Sequence, residues 1–332
     1  MRILLSSNHS YPASGSPGSG TKPREFPSGA GFVIHDLVAK GLAEAGHDVF
    51  YLLPRGAETP LPSGITLLRE PRFDVDVVHT ITFRDYDLTR AVRQAGIPWV
   101  ATCHLDPTDD PTYGGRMVPD PIRDNWIFVS RTLAHSVGRT RYVLNGIDPE
   151  EYQFSETPDN YFLFMASLEH AAEKGLGLAL RLATRHHLRM IVAGTGETEQ
   201  IIEKTARQCQ AAGVEFVGDV RGVTKARLLA QARALLFPTQ LNEAFGLVMV
   251  EALISGTPVI ASSSGACPEI ITQDVGFVCG SERDYDNAVR HVGEISRRSC
   301  REKALRQFHY RRMAADYLRE YYAEIRLAQK AG

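Results

Sequence analysis

The stretch NEAFGLVMVEALISGTPVIASSSGACPEII, residues 242–271, sets two carboxylates, Glu243 and Glu251, on either side of an otherwise apolar run. The apolar segment LLFP (235–238) precedes it, so the reading is strand, loop, helix, with Gly246 where the helix begins. A helix opening there turns free backbone N–H groups and its positive end toward the strand end, a seat for phosphate. On one helix the spacing of the two acids would put them roughly 12 Å apart along the axis. They cannot share a proton at that distance, and it exceeds the roughly 5–9.5 Å of paired glycosidase carboxylates. The acids are expected to grip different parts of one elongated ligand: an acid, an amide cluster and an acid suit a sugar, a diphosphate and a ribose in a row. In the alternative reading Glu243 is an N-terminal acid favoured by the helix dipole and Glu251 a solvated face residue.

Outward from this stretch the same alternation recurs. After RILLSS come the helical pattern FVIHDLVAKGLAEAGHD, the apolar runs VFYLL, ITLL and VDVVHTI, the helix YDLTRAVRQAG, and the strands WVATCH and WIFVS. This is a βαβ rhythm, and strands so uniformly apolar are buried on both faces of a parallel sheet. Residues 1–150 are expected to form one doubly wound domain. The rhythm breaks at NGIDPEEYQFSETPDN (145–160), a linker candidate. A second set, from YFLFMAS through KGLGLALRLATRHH, RMIVAG and VEFVG to GFVCG, predicts a second Rossmann-like domain over 151–300. Two such α/β domains facing each other would form a cleft between the carboxyl ends of their sheets. The tail reads as continuously helical from about Asp284, with residues 301–332 packing back toward the first domain. Arg297 to Lys330 carries ten Lys or Arg against four Asp or Glu, a solvated basic helix or, alternatively, a face for an anionic membrane or acceptor surface.

Composition limits the function. The chain has 332 residues and a formal net charge of −2, which argues against a nucleic-acid binder. Its five cysteines are odd in number, scattered and mostly inside apolar runs, so they read as reduced core thiols. MRILLSS is too short for a signal peptide and no apolar run reaches membrane-spanning length, so a cytoplasmic location is expected.

The run FPTQLNEAFGLVMVEALISGTPVIASSSGACPEII resembles the E-x7-E region of glycosyltransferase family 4, retaining enzymes of GT-B fold. LEHAAEKGLGLAL is similar to that family's Lys-Gly helix start, RMIVAGTGE to its Gly-x-Gly strand end and VEFVGDV to its nucleotide-base loop. In the first half SGAGFVIHDLVAKGLAEAGHDV, DVVHTI, VATCH and VLNGID match weaker landmarks. The resemblance implies transfer of a sugar from a nucleotide-diphosphate donor, a UDP- or GDP-sugar, to a hydroxyl of a small-molecule, lipid or glycan acceptor. Anomeric configuration would be kept by same-face attack, with no cofactor and no metal. It further implies Glu243 on the transferred sugar, Glu251 on the ribose hydroxyls, the Gly246 and Leu247 amides on the diphosphate, Phe245 among the donor-binding residues, and Lys174 neutralising that diphosphate. Gly194 and Gly218 would line the nucleotide, His104 the sugar, and Gly29, Ala30 and Gly31 would let backbone approach the donor phosphate and acceptor. A fixed cation and preorganised amides stabilise the charge on a departing diphosphate.

Two other patterns are weaker. Asp74 to Asp76 spell D-x-D, a metal-diphosphate motif of another glycosyltransferase fold, but open an apolar strand ending at His79, itself read as structural. GTGETEQ lacks the third glycine of a dinucleotide fingerprint. One family feature is missing: Ala166, Ser167 and Leu168 stand where Gly-Arg-Leu is usual, so an arginine for the diphosphate is absent. Lys22 and Arg24, on the long loop 6–31, are the candidate replacements. The lost arginine keeps open a nucleotide-sugar-binding homologue without transfer activity, beside a GT-B epimerase.

Overall fold

The computed structural model describes residues 1–13, 30–81, 86–107 and 125–331. They fall into two compact units, one holding the described residues up to Ile147 and those from Phe308 onward, the other Asp148–Gln307. Gly29, Lys22 and Arg24 lie outside the described residues.

The first unit contains β1 (Arg2–Ser6), β2 (Asp48–Leu52), β3 (Ile65–Leu68), β4 (Val77–Ile81), β5 (Trp99–Cys103) and β6 (Trp126–Phe128), with α1 (Ala30–Glu44), α2 (Tyr86–Gln94) and α3 (Arg131–Ser136). Its sheet is parallel in the order β3-β2-β1-β4-β5-β6. The second unit contains β7 (Phe162–Met165), β8 (Met190–Ala193), β9 (Glu215–Gly218), β10 (Ala234–Phe237), β11 (Val259–Ser262) and β12 (Gly276–Cys279). Around them stand α4 (Leu176–Arg185), α5 (Glu199–Ala211), α6 (Gly222–Gln231), α7 (Leu247–Ile254), α8 (Cys267–Ile270), α9 (Glu282–His291) and α10 (Arg297–Gln307). This sheet is also parallel, in the order β12-β11-β10-β7-β8-β9, so the two units repeat one strand order. The central strands β4, β10 and β11 are buried at every position, as strands covered by helices on both faces must be.

The expectation of one solvated helix from Asp284 is corrected. A 3-10 turn at Val292–Glu294 separates α9 from α10, and the chain breaks again at Phe308 and His309 before α11 (Tyr310–Ala331). At that second break Ile147 donates its N–H to the Phe308 carbonyl at 2.8 Å and accepts from the Tyr310 N–H at 3.0 Å, so strand-like pairing replaces helical continuity. Met313, Ala314, Tyr317 and Tyr321 form a buried stripe on α11, which packs against α1. Cys300, Lys303 and Ala304 of α10 are likewise buried.

The segment read as a linker is seated rather than slack. Asp148 accepts from the Glu150 N–H at 3.1 Å and caps a 3-10 turn at Pro149–Glu151. Arg297 then fixes the Ser155 carbonyl at 2.7 Å while also donating to the Ala232 carbonyl at 2.8 Å and the Thr257 hydroxyl at 2.8 Å. Among the described residues no helix is long and apolar enough to cross a membrane.

Candidate active site

The second unit gathers most of the singled-out residues at the carboxyl ends of β7, β8 and β10. After β10 the chain runs through Pro238 to Gly246, the N-cap of α7, which makes no side-chain capping bond. Glu243 lies in that loop and Glu251 on the helix, so the two acids do not share a helix.

Two glycines shape the loop. Gly175, the N-cap of α4, has φ +86°, and a Cβ there would stand 2.0 Å from the Pro238 carbonyl oxygen. Gly265, with φ +54°, lies so close beneath Glu243 that a Cβ would meet its N at 2.2 Å and its O at 2.3 Å. Only glycine permits both the left-handed backbone and the contact. The first contact carries Lys174 to the loop, where its ammonium is ion-paired with the Glu243 carboxylate and stands 5.5 Å from the Phe237 ring centroid. The Gln240 N–H donates to the Glu173 carbonyl at 2.7 Å and reinforces the approach. Burial, and then the charge of Glu243, push the Cys267 thiol up to about 12, so it stays protonated beside the pair.

Glu251 is only 5 % exposed, which corrects the alternative of a solvated face residue. Its Oε1 accepts from the Tyr152 hydroxyl at 2.8 Å and from the Lys225 ammonium at 2.7 Å. Neither donor was singled out in the sequence, and neither has a local signal: each becomes a partner only when its element packs on α7. Phe245 is buried. Leu247 is the first residue of α7. Gly194 and Gly218 come together at the ends of β8 and β9, the Gly194 N–H donating to the Gly218 carbonyl at 2.9 Å. A Cβ on Gly194 would lie 2.3 Å from the Ala166 carbonyl oxygen, which fixes that loop beside Ser167.

At the position of the absent arginine, the Ser167 hydroxyl donates to Glu169 at 2.6 Å. The same carboxylate accepts from the Glu197 N–H; burial, the largest single influence, raises its pKa, but the bonds from Ser167 and Glu197 together outweigh it and hold the group below its ordinary value. The strand end therefore presents an anion, not a cation.

In the first unit Ala30 opens α1, and Gly31 lies against His104 just past β5, a Cβ on Gly31 falling 2.9 Å from the imidazole. His104 meets His35 edge-on at 5.8 Å, and His35 lies 4.7 Å from His79. His79 is fully buried and hydrogen-bonded to Thr102 and Tyr321, each at 2.7 Å, a structural position. Asp74 is bound by Arg2 and Arg72, and Asp76 accepts from the Arg2 N–H at 2.7 Å. Among the described residues no cluster of three or more His, Cys, Asp or Glu could hold a metal ion.

Two doubly wound parallel sheets of one strand order are the fold of GT-B glycosyltransferase structures. Residues 148–312 match the family described as Glycosyl transferases group 1, so this part of the chain is a domain of that family. Across 98 % of both chains the fold superposes, with a TM-score of 0.74 and 22 % identity, on AviGT4, a glycosyltransferase involved in avilamycin A biosynthesis. Over 200 residues the chain is 28 % identical to an uncharacterized glycosyltransferase of Methanocaldococcus jannaschii, covering 51 % of this chain and 50 % of that protein. Over 135 residues it is 35 % identical to a GDP-mannose-dependent alpha-(1-6)-phosphatidylinositol dimannoside mannosyltransferase of Mycobacterium tuberculosis, covering 39 % and 34 %. The chain spans about a third to a half of the length of these curated relatives.

Proposed function

We propose that the protein transfers a sugar from a nucleoside-diphosphate donor to a hydroxyl acceptor with retention of configuration, the second unit binding the donor and the first the acceptor. The observation that carries this reading is the Lys174–Glu243 ion pair standing before the Gly246-capped start of α7, with the buried Glu251 carboxylate further along the same helix. Lys174 and the first amides of α7, from Leu247 on, supply positive charge for the diphosphate; Glu243 takes sugar hydroxyls and Glu251 the ribose. Phe245, Gly194 and Gly218 complete the donor's surroundings. His104, with Ala30 and Gly31, belongs to the first unit's part of the reaction. The donor class is a UDP- or GDP-sugar and the acceptor a small molecule, lipid or glycan; the mycobacterial relative, named GDP-mannose-dependent, favours testing GDP first.

The test is thermal unfolding against a panel of nucleoside diphosphates, followed by product detection with the sugar nucleotide of the best binder. At least one diphosphate should raise the melting temperature, and Lys174→Ala should remove the effect. A panel with no stabilising member would overturn the reading. The Glu169 carboxylate where the family has arginine nearby favours a second reading, donor binding without transfer, which stabilisation without sugar transfer or donor hydrolysis would support.

A further inference from the structure

Glu251 is asymmetrically engaged. Its Oε1 takes both the Tyr152 phenol and the Lys225 ammonium, while Oε2 accepts no hydrogen bond from the described residues. A carboxylate rotates about a broad terminal torsion, so an unheld Glu251 would present its oxygens in many directions. Two donors on one oxygen remove that freedom and leave the lone pairs of Oε2 unused by the described residues. The charge-assisted bond from Lys225 also offsets the cost of keeping an anion at 5 % exposure.

The donors sit on different elements, which makes the hold rigid. Lys225 is in the first turn of α6. Tyr152 closes the 3-10 turn at Pro149–Glu151 that Asp148 caps, and three residues on the Ser155 N–H donates to the Ser255 carbonyl at 3.4 Å at the far end of α7. Burial, and then the charge of Glu251, push the Tyr152 phenol well above its ordinary value, so it remains a donor.

We infer that Tyr152 and Lys225 are positioning residues that aim Glu251 Oε2 at the ribose hydroxyls, and that this two-donor hold is what makes the protein select ribonucleoside over deoxyribonucleoside diphosphates. The inference rests on the proposed donor role of Glu251. Its test separates the two by titrating full-length protein calorimetrically with UDP, GDP and their 2′-deoxy and 3′-deoxy counterparts. Wild type should favour a ribonucleotide by about tenfold or more over a deoxy counterpart, the range of one hydrogen bond to a charged group. Tyr152→Phe should weaken the ribonucleotide about fivefold to tenfold while leaving the deoxy counterpart within about twofold, so discrimination collapses. Lys225→Met should do the same more strongly and Lys225→Arg should retain part of the preference. A donor KM that rises in Tyr152→Phe with kcat held would add support in turnover. Equal weakening of both ligands, or no change in either, overturns the inference and leaves the donor reading intact; a wild type without preference overturns the inference together with the ribose role of Glu251, while nucleoside-diphosphate binding itself stands. A wild type that binds no nucleoside diphosphate overturns both.

Discussion

Gly175 lies under the Pro238 carbonyl so closely that a single added methyl would stand 2.0 Å from its oxygen, and this contact sets Lys174 beside Glu243. Gly175→Ala faces both the clash and a left-handed backbone, φ +86°. It should cost roughly 1–3 kcal/mol, measured by denaturant unfolding. Because the displaced turn carries Lys174, nucleoside-diphosphate affinity should fall in the same variant; unchanged affinity would detach the lysine from the donor.

The two acids should fail differently. Glu243→Ala should mainly lower kcat, because contacts to the sugar near the reacting carbon strengthen in the transition state. Glu251→Ala should mainly raise donor KM, and it also strands Tyr152 and Lys225. Steady-state kinetics giving pure KM effects in both would sink the assignment.

Charge for the leaving diphosphate is assigned to Lys174 and the α7 amides. A chelator should therefore leave the rate unchanged, while Lys174→Ala should nearly abolish it. Activity lost in EDTA and restored by magnesium or manganese would overturn that assignment.

Glu169 bears on the arginine that Ser167 replaces. Since the Ser167 hydroxyl already bonds this carboxylate, Ser167→Arg alone should pair with Glu169 and gain little donor affinity. Combined with Glu169→Gln, the new guanidinium is released, and nucleoside diphosphate binding should tighten about tenfold in calorimetry at moderate salt. A full gain from Ser167→Arg alone would contradict the bond as a restraint.

Acid should destabilise the first unit. Burial, and then His104, lower the His79 pKa to about 3, and His35 is also held well below its ordinary value by burial and by His79, His104 and His9. The unfolded chain binds these protons near pH 6.5 and the folded one does not, so their contribution is complete above that pH and is lost as pH falls toward 3. For His79 alone the loss is roughly 3 kcal/mol by pH 4. The groups around His79 are His35 on α1, His104 after β5, Thr102 on β5, and Tyr317 and Tyr321 on α11. His79→Gln should flatten the slope of unfolding free energy between pH 6.5 and 4 relative to wild type; an unchanged slope would contradict it.

Strand and helix periods are local properties of the chain, and a strand buried on both faces leaves a short, unbroken apolar run. For that reason RILLS, VVHTI and LLF announced parallel strands, and Gly246 announced the start of α7, from the residues alone. The tertiary structure decided what these elements bring together. Lys174 reaches Glu243 across 69 positions, and Tyr152 reaches Glu251 across 99, through packing that leaves no periodic trace in the sequence. Whether an acid on a helix is solvated or buried depends on what covers that face, so Glu251 could be read either way until α6 and the Pro149–Glu151 turn were in place. The same holds for the tail: its basic composition suggested one exposed helix, and only the pairing of Ile147 with the Phe308–Tyr310 segment and the burial of Tyr317 and Tyr321 divided it.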